Sequence, residues 1–362
     1  MDHLARIDRL RGLLAAAECD LFLLNSPPQL RYYTGYSGDS AWLLVSEKRC
    51  LFFTDGRYTT QAAGEIPTAV ELCRINSASE LYRRLQEEGR GRAVGIDENS
   101  LKAAAWLKLR ENLASEPRSA AAFCNQARKY KDPEEIARLK EAVRIAEQAL
   151  SLTLDRLRPG IREYDIAAEL EYQIRKAGGE GVAFPLIVAS GPRSALPHGV
   201  ASERIIAPQD PVTIDFGAVY QGYHSDQTCT FFLGDPGPEK TRVYEALFRA
   251  QQEGLQALAE KPLQSCELDR RVRQVLVEAG LGDHFSHGTG HGIGLEIHEA
   301  PSISPGGPDE PLAPDMVFTI EPGCYFSGRW GIRIEDTVWL KADGGERLTT
   351  LDKSLEKMVL AG

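Results

Sequence analysis

Four carboxylates and one imidazole, spread from Asp215 to Glu335, constrain this chain more than any other feature. They are Asp215, Asp226, His291, Glu321 and Glu335, and each lies in a short stretch that reads as a strand or a glycine-rich turn. Only a fold that closes distant strands against one another can gather them. Gathered without cations, the acids would repel and most would take up protons. Two divalent cations would cancel that charge, so the set reads as a metal cage.

The local patterns support the gathering. In Val212–Asp226, Gln221-Gly222 is a two-residue hairpin turn, because glycine tolerates the positive φ required there. If Tyr220 faces Tyr223, Asp215 lies opposite Thr228, and Asp226 projects from the same face. The two aspartates are then diagonal neighbours, roughly 7–8 Å apart at the backbone. His287 and His291 are spaced as in a helical zinc motif, but Gly288, Gly290, Gly292 and Gly294 oppose a helix. The stretch reads as extended and closely packed, with His291 as ligand and His287 orienting a ligand or the substrate. Phe318–Gly323 and Gly331–Asp336, separated by a Ser327-Gly328 turn, each place one glutamate in or at the end of a strand. Arg333 and Glu335 share a face, since strand side chains alternate. Oxygen ligands with one imidazole favour Mn²⁺, Co²⁺, Fe²⁺ or Zn²⁺, with Mn²⁺ the first expectation. Two such ions about 3.5–4 Å apart support metal-assisted hydrolysis.

At 362 residues the chain exceeds what one core usually supports. The boundary falls near Lys129–Glu135, where Asp132 reads as an N-cap, Pro133 as the first helical residue and Glu135 as the capping-box partner. Residues 1–127 alternate strands (Cys19–Leu24, Ala41–Val45, Arg49–Thr54, Ala93–Ile96) with helices (Leu4–Ala17, Leu101–Leu113), which predicts an α/β domain. Residues 128–362 open on an amphipathic helix with Ile136, Leu139, Val143, Ala146, Leu150 and Leu157 on one face. A second helix spans Glu163–Lys176. Strands follow at Ala183–Ser190, Pro211–Ala218 and His224–Leu233, then helices at Glu239–Leu258 and Leu268–Ala279, then strands at Val317–Ile320 and Gly331–Leu340. This predicts an α+β domain with antiparallel sheet.

The net charge of -10 argues against nucleic acid or an anionic membrane as partner. No apolar stretch is long enough to span a bilayer, and the N-terminus lacks the features of a signal peptide. The seven cysteines are scattered without a CxxC pair, as in a reduced cytoplasmic protein.

The four stretches, in this order, resemble the pita-bread metallopeptidases: aminopeptidase P, prolidase and methionine aminopeptidase. The similarity runs from about Lys131 to the C-terminus and includes Leu196-Pro-His-Gly199 and Glu296-Ile-His-Glu-Ala-Pro301. The N-terminal part, through Tyr33-Thr-Gly-Tyr-Ser-Gly38 and Phe53-Thr-Asp-Gly-Arg-Tyr58, resembles the creatinase N-terminal domain, which favours the proline-specific branch. The resemblance implies Asp215, Asp226, His291, Glu321 and Glu335 as ligands, with Asp226 and Glu335 bridging both ions. It implies that His198 positions the substrate and that His298 bonds the scissile carbonyl or tetrahedral intermediate. Glu321 would pass a proton to the leaving nitrogen, and Arg333 matches an arginine of aminopeptidase P. Many relatives carry arginine where this chain has Cys229. Tyr32, Tyr33, Tyr36 and Trp42 are expected to pack rather than line a site.

The expected activity is release of the residue before proline from short peptides, by an Xaa-Pro aminopeptidase. The alternative is an Xaa-Pro dipeptidase (prolidase), which must hold the dipeptide carboxylate, with Arg333 one candidate. A metal-free creatinase-like hydrolase or a non-catalytic pita-bread binding module would not need all five ligands. The resemblance also implies a homodimer.

Overall fold

The computed structural model describes residues 1–113, 116–260 and 263–360. The chain divides into two compact units, Met1–Arg128 and Lys129–Gly362.

The first unit contains α1 (His3–Gly12), β1 (Leu21–Leu24), α2 (Pro27–Thr34), β2 (Trp42–Ser46), β3 (Cys50–Asp55) and α3 (Thr59–Glu65). After them come β4 (Glu71–Ile75), α4 (Ala78–Gly89), β5 (Val94–Ile96), α5 (Ala103–Asn112), β6 (Arg118–Ser119) and α6 (Ala121–Gln126). The strands form one mixed sheet in the order β4-β3-β2-β1-β5-β6. β1 is buried on both faces, which explains its unbroken apolar run. Leu23, Leu44, Phe53 and Ile96 join Leu81 and Leu109 of α4 and α5 in the core.

The helix expected over Leu4–Ala17 ends at Gly12. α2, α3, β4, α4, β6 and α6 are additions to the expected elements. The signals of α2 were present: Ser26 caps the Gln29 N–H, Pro27 opens the helix, and Gly35 closes it at φ 78°. Tyr32, Tyr33 and Tyr36 are buried within this unit; the Tyr33 hydroxyl donates to the Cys124 carbonyl at 2.8 Å.

The second unit opens with α7 (Pro133–Leu154), α8 (Glu163–Lys176), β7 (Gly181–Val182) and β8 (Ile187–Ser190). The hairpin strands are β9 (Pro211–Phe216), β10 (Ala218–Tyr220), β11 (Tyr223–His224) and β12 (Gln227–Leu233). Two helices follow, α9 (Gly237–Ala257) and α10 (Ser265–Glu278), then β13 (Gly290–Gly292), β14 (Glu299–Ile303) and β15 (Val317–Ile320). The chain closes with β16 (Gly323–Phe326), β17 (Trp330–Arg333), β18 (Asp336–Lys341), β19 (Gly344–Arg347), α11 (Leu355–Met358) and β20 (Val359–Leu360).

α7 starts where the capping box places it and ends at Leu154, so Leu157 lies beyond the helix. Glu135 N–H donates to Asp132 Oδ1 at 2.9 Å and Asp132 N–H donates to Glu135 Oε2 at 3.0 Å. Its predicted apolar face is buried, and Ala146 and Leu150 of that face share one core with α8, α9, α10 and the strands β8, β9 and β12. Among the described strand pairs of this unit only β12 and β20 run parallel. The sheets are β20-β12-β9-β8, β11-β10-β7, β14-β13-β15-β18-β19 and the hairpin β16-β17. Together they give the α+β, mainly antiparallel architecture expected from the sequence.

The turn at Gln221 (φ 46°) and Gly222 (φ 78°) has positive φ at both central positions, the condition for a tight hairpin matched to strand twist. Tyr220 pairs with Tyr223 and Asp215 with Thr228, the register read from sequence. At Gly217 a Cβ would sit 1.8 Å from the Ser225 carbonyl oxygen, so only glycine lets the strands close there.

Gly331–Leu340 is not the single strand expected. β17 pairs with β16, while β18 pairs with β15 and β19. In the break, Ile334 N–H donates to the Pro322 carbonyl and Glu335 N–H to the Thr228 carbonyl, both at 3.2 Å. Those donors leave the expected ladder and tie Glu335 to β12. Ala183–Ser190 is likewise broken, with regular pairing to β9 only from Ile187; Pro185 cannot donate to a ladder. Among the described residues no helix is long and apolar enough to cross a membrane. The seven cysteines are free thiols.

Candidate metal centre

A cavity of about 450 Å³ in the second unit is lined by Asp215, Asp226, His291, Glu321 and Glu335, and also by His198, His287, His298 and Arg333. Its apolar wall includes Phe184, Pro185 and Ile187. Every candidate site residue therefore reaches one space.

The hairpin supplies Asp215 and Asp226, and β13 supplies His291. Gly290 is required beside it, because a Cβ there would sit 1.9 Å from the Thr319 carbonyl oxygen. Glu321 follows β15, its N–H donating to the Thr289 carbonyl at 2.7 Å. Glu335 stands at the junction of β17 and β18. One ligand atom each from Asp226, His291 and Glu335 lies within 4.8 Å of the others. His291 Nε2 is 3.5 Å from Asp226 Oδ2 and 3.6 Å from Glu321 Oε1. Its Nδ1 faces the Gly292 carbonyl at 3.1 Å and must carry the proton there, which leaves the Nε2 lone pair directed at the acids.

The electrostatics are those of a site shaped for cations. Burial, and then the charges of Glu335, Asp215 and Glu321, push the Asp226 carboxyl well above its ordinary range. Burial and then Glu335 do the same to Glu321. Burial, followed by Asp215, raises Glu335 to about 7. Burial lowers His291 and His287 to about 4, so both rings are neutral near pH 7. Asp215 Oδ1 and Asp226 Oδ1 are buried without a hydrogen-bond partner. Orphaned carboxylate oxygens beside a free imidazole lone pair fit divalent cations.

Arg333 organises this set from beneath. Nη2 donates to Asp215 Oδ2 at 2.6 Å and Nε donates to Thr228 Oγ1 at 3.0 Å. The Thr228 hydroxyl then donates to Glu335 Oε2 at 2.7 Å. Nη1 donates to the Tyr325 hydroxyl at 2.8 Å and to the Pro197 carbonyl, next to His198, at 3.0 Å. Tyr325 in turn meets His287 Nε2 at 2.9 Å. His287 Nδ1 faces the Gly288 carbonyl at 2.8 Å, so Nε2 accepts and Tyr325 donates. One rigid guanidinium fork thereby reaches two candidate ligands and two candidate histidine segments.

His198 and His298 stand at the exposed mouth, and the His298 ring meets His291 edge-on with centroids 4.3 Å apart. Tyr325 and Thr228 escaped the sequence reading as site residues. Each is an ordinary strand residue whose role comes only from what tertiary packing sets beside it. At Cys229 no arginine is present; the buried Lys353 ammonium instead donates to Asp336 Oδ1 at 2.7 Å and to the Glu335 carbonyl.

The family pattern described as Metallopeptidase family M24 matches residues 137–342. The chain belongs to that family. As an M24 metallopeptidase it is an enzyme that works with divalent metal ions. Its first unit matches the Creatinase/Prolidase N-terminal domain over residues 6–129. The M24 chain is 34% identical over 354 residues to the Xaa-Pro dipeptidase of Pyrococcus furiosus, covering 97% of this chain and 99% of that protein. It superposes on the Xaa-Pro dipeptidase from Bacillus anthracis with TM-score 0.93 and 37% identity, covering 99% and 100% of the two chains. The X-Pro aminopeptidase from Thermotoga maritima gives TM-score 0.88 and 37% identity, covering 98% and 99%.

Proposed function

We propose that this M24 metallopeptidase is an Xaa-Pro dipeptidase that carries two divalent ions, Mn²⁺ first among them. The observation that carries the reading is full-length similarity to proteins named Xaa-Pro dipeptidase, joined to a cavity holding all five candidate ligands. This reverses the order expected from sequence, where the aminopeptidase stood first. Similarity to the Thermotoga maritima X-Pro aminopeptidase keeps cleavage of longer peptides as the second reading.

In this reading Asp215, Asp226, His291, Glu321 and Glu335 would hold the ions, with Asp226 and Glu335 at the centre of the set beside His291. Bound cations supply Lewis-acid polarisation and a lowered pKa for water. Glu321 holds the proton that passes to the leaving nitrogen. His298 donates to the substrate carbonyl oxygen, an electrostatic role, and His198 orients the chain after the scissile bond. The acids receive the free amine, and the Phe184-Pro185-Ile187 wall receives the apolar part of the substrate. Four Arg333 contacts to the protein occupy most of its donors, so we assign it to the ligands rather than to the dipeptide carboxylate. The two units correspond to a creatinase-like domain, 1–127, and a catalytic domain, 128–362. We place the enzyme in the cytoplasm, consistent with its free thiols, and expect a homodimer, which light scattering tests.

The deciding experiment reloads stripped enzyme with Mn²⁺, Co²⁺ or Zn²⁺ and compares Gly-Pro with Gly-Pro-Gly. Cleavage of the dipeptide alone supports the proposal. Cleavage of the tripeptide supports the aminopeptidase. Inactivity on both, with every metal, removes both readings.

A further inference from the structure

An ion pair on α10, its carboxylate buried and its guanidinium partly exposed, grips the catalytic unit from outside the cavity. Asp269 is 1% exposed and does not line the cavity. Its Oδ1 accepts from the Thr289 N–H at 3.1 Å and from the Thr289 hydroxyl at 2.9 Å. Arg273 binds both its oxygens, Nε to Oδ2 at 3.1 Å and Nη2 to Oδ1 at 2.9 Å. The same guanidinium donates to the Phe285 carbonyl at 3.0 Å and the His287 carbonyl at 2.8 Å. It also stacks over the Phe285 ring, 4.3 Å from its centroid, and that ring meets His287 edge-on.

Two lines therefore run from one carboxylate into the cavity. Through Arg273 it fixes the backbone of His287. Through Thr289, whose carbonyl accepts the Glu321 N–H, it fixes the backbone of Glu321. We propose that Asp269 is a positioning residue that sets His287 and Glu321 against His291. The choice of a charged group follows from the number of donors converging on it. An ionised carboxylate accepts all of them, whereas an asparagine would turn its NH₂ group towards the guanidinium or towards Thr289. A pair kept only for stability gains little over apolar packing. Here every other Arg273 contact goes to the segment that carries His287.

This inference rests on the metallopeptidase reading above. Full-length Asp269→Asn and a reference variant, Glu147→Gln, test it. Glu147 accepts from Thr350 and Leu351 and, among the described residues, has no hydrogen bond to His287 or Glu321. For both, Tm, Co²⁺ affinity by calorimetry, the visible band of the Co²⁺ form, and kcat and KM on Gly-Pro are measured. Asp269→Asn is expected to lower Co²⁺ affinity and kcat about tenfold or more, to shift the Co²⁺ band and to leave KM nearly unchanged. Glu147→Gln is expected to keep all of these even where its Tm falls equally. Wild-type affinity, band and kcat in folded Asp269→Asn, or equal losses in Glu147→Gln, overturn the proposal. If Asp269→Asn does not fold, Thr289→Val decides: a shifted band with reduced kcat supports it, and wild-type values overturn it. If the wild type cleaves neither Gly-Pro nor Gly-Pro-Gly, the function fails, while affinity and band still decide the role of Asp269.

Discussion

Arg333 Nη2 meets Asp215 Oδ2 at 2.6 Å inside the catalytic unit, so one candidate metal ligand is already held by a buried cation. The remaining contacts of that guanidinium fork tie it to Thr228, Tyr325 and Pro197. A lysine offers a point charge in place of the fork. Arg333→Lys is expected to lower kcat/KM on Gly-Pro about a hundredfold, with reduced metal content in the purified protein. Kinetics with elemental analysis check both.

The Tyr325 hydroxyl donates to His287 Nε2 while accepting from Arg333. Removing the hydroxyl leaves His287 held only through its Nδ1 side and the Phe285 ring, while Arg333 Nη1 keeps the Pro197 carbonyl. Tyr325→Phe should therefore lower kcat about tenfold with little change in Tm, as for residues that orient ligands. Paired kinetic and calorimetric runs give the answer.

Asp226→Asn removes a candidate metal ligand, so activity should fall about a thousandfold or more, to the loss expected when a catalytic metal site is broken. Stability should move the other way. Burial and like charges disfavour the ionised Asp226 carboxylate, so the metal-free variant should melt no lower than the metal-free parent. Scanning calorimetry of both stripped proteins checks this.

The stripped enzyme should carry a characteristic pH profile. A carboxyl whose folded pKa is raised favours folding below its unfolded value and loses that advantage as pH climbs. For Glu335 the loss runs from about 4.5 to about 7, with Asp226 and Glu321 in the same direction. His287 and His291, lowered from 6.5 to about 4, act oppositely, but only below 6.5. Tm of the stripped protein should therefore fall as pH rises above 6.5, and Tm of the metal-loaded protein should change much less. A melting series with and without chelator measures it.

Gly290→Ala should cripple the centre, because the new methyl would overlap the Thr319 carbonyl, whereas Gly306→Ala meets nothing within 4 Å. The first is expected to lose several kcal/mol, about the cost of overpacking a close backbone contact, and the second less than about 0.5 kcal/mol. Chemical denaturation of the two variants compares them directly.

How much of this was legible in the sequence depended on the range of the interactions involved. The α7 capping box and the Gln221-Gly222 hairpin were readable because their determinants lie within a few residues. The hairpin register then put Asp215 opposite Thr228 without further information. The break before Glu335 was not readable. Gly331–Leu340 is locally a good strand, and its division is decided by the Pro322 and Thr228 carbonyls from elsewhere in the chain. Tyr325 and Asp269 stayed hidden for the same reason, since neither sits in a motif. In the first unit, α3 has seven residues and buries only Ala62, and Glu71–Ile75 alternates too weakly to mark β4; α4 was legible, since Ser77 caps the Glu80 N–H and Leu81 and Leu85 stand four apart on its buried face.

Glu335 stands where two sheets meet, with the Lys353 ammonium beneath its carbonyl. A ribosome has released most of the polypeptide before that junction and its support exist. The support of Glu335 is thus supplied by a residue close to the end of the catalytic unit, and a product truncated before Lys353 would lack it.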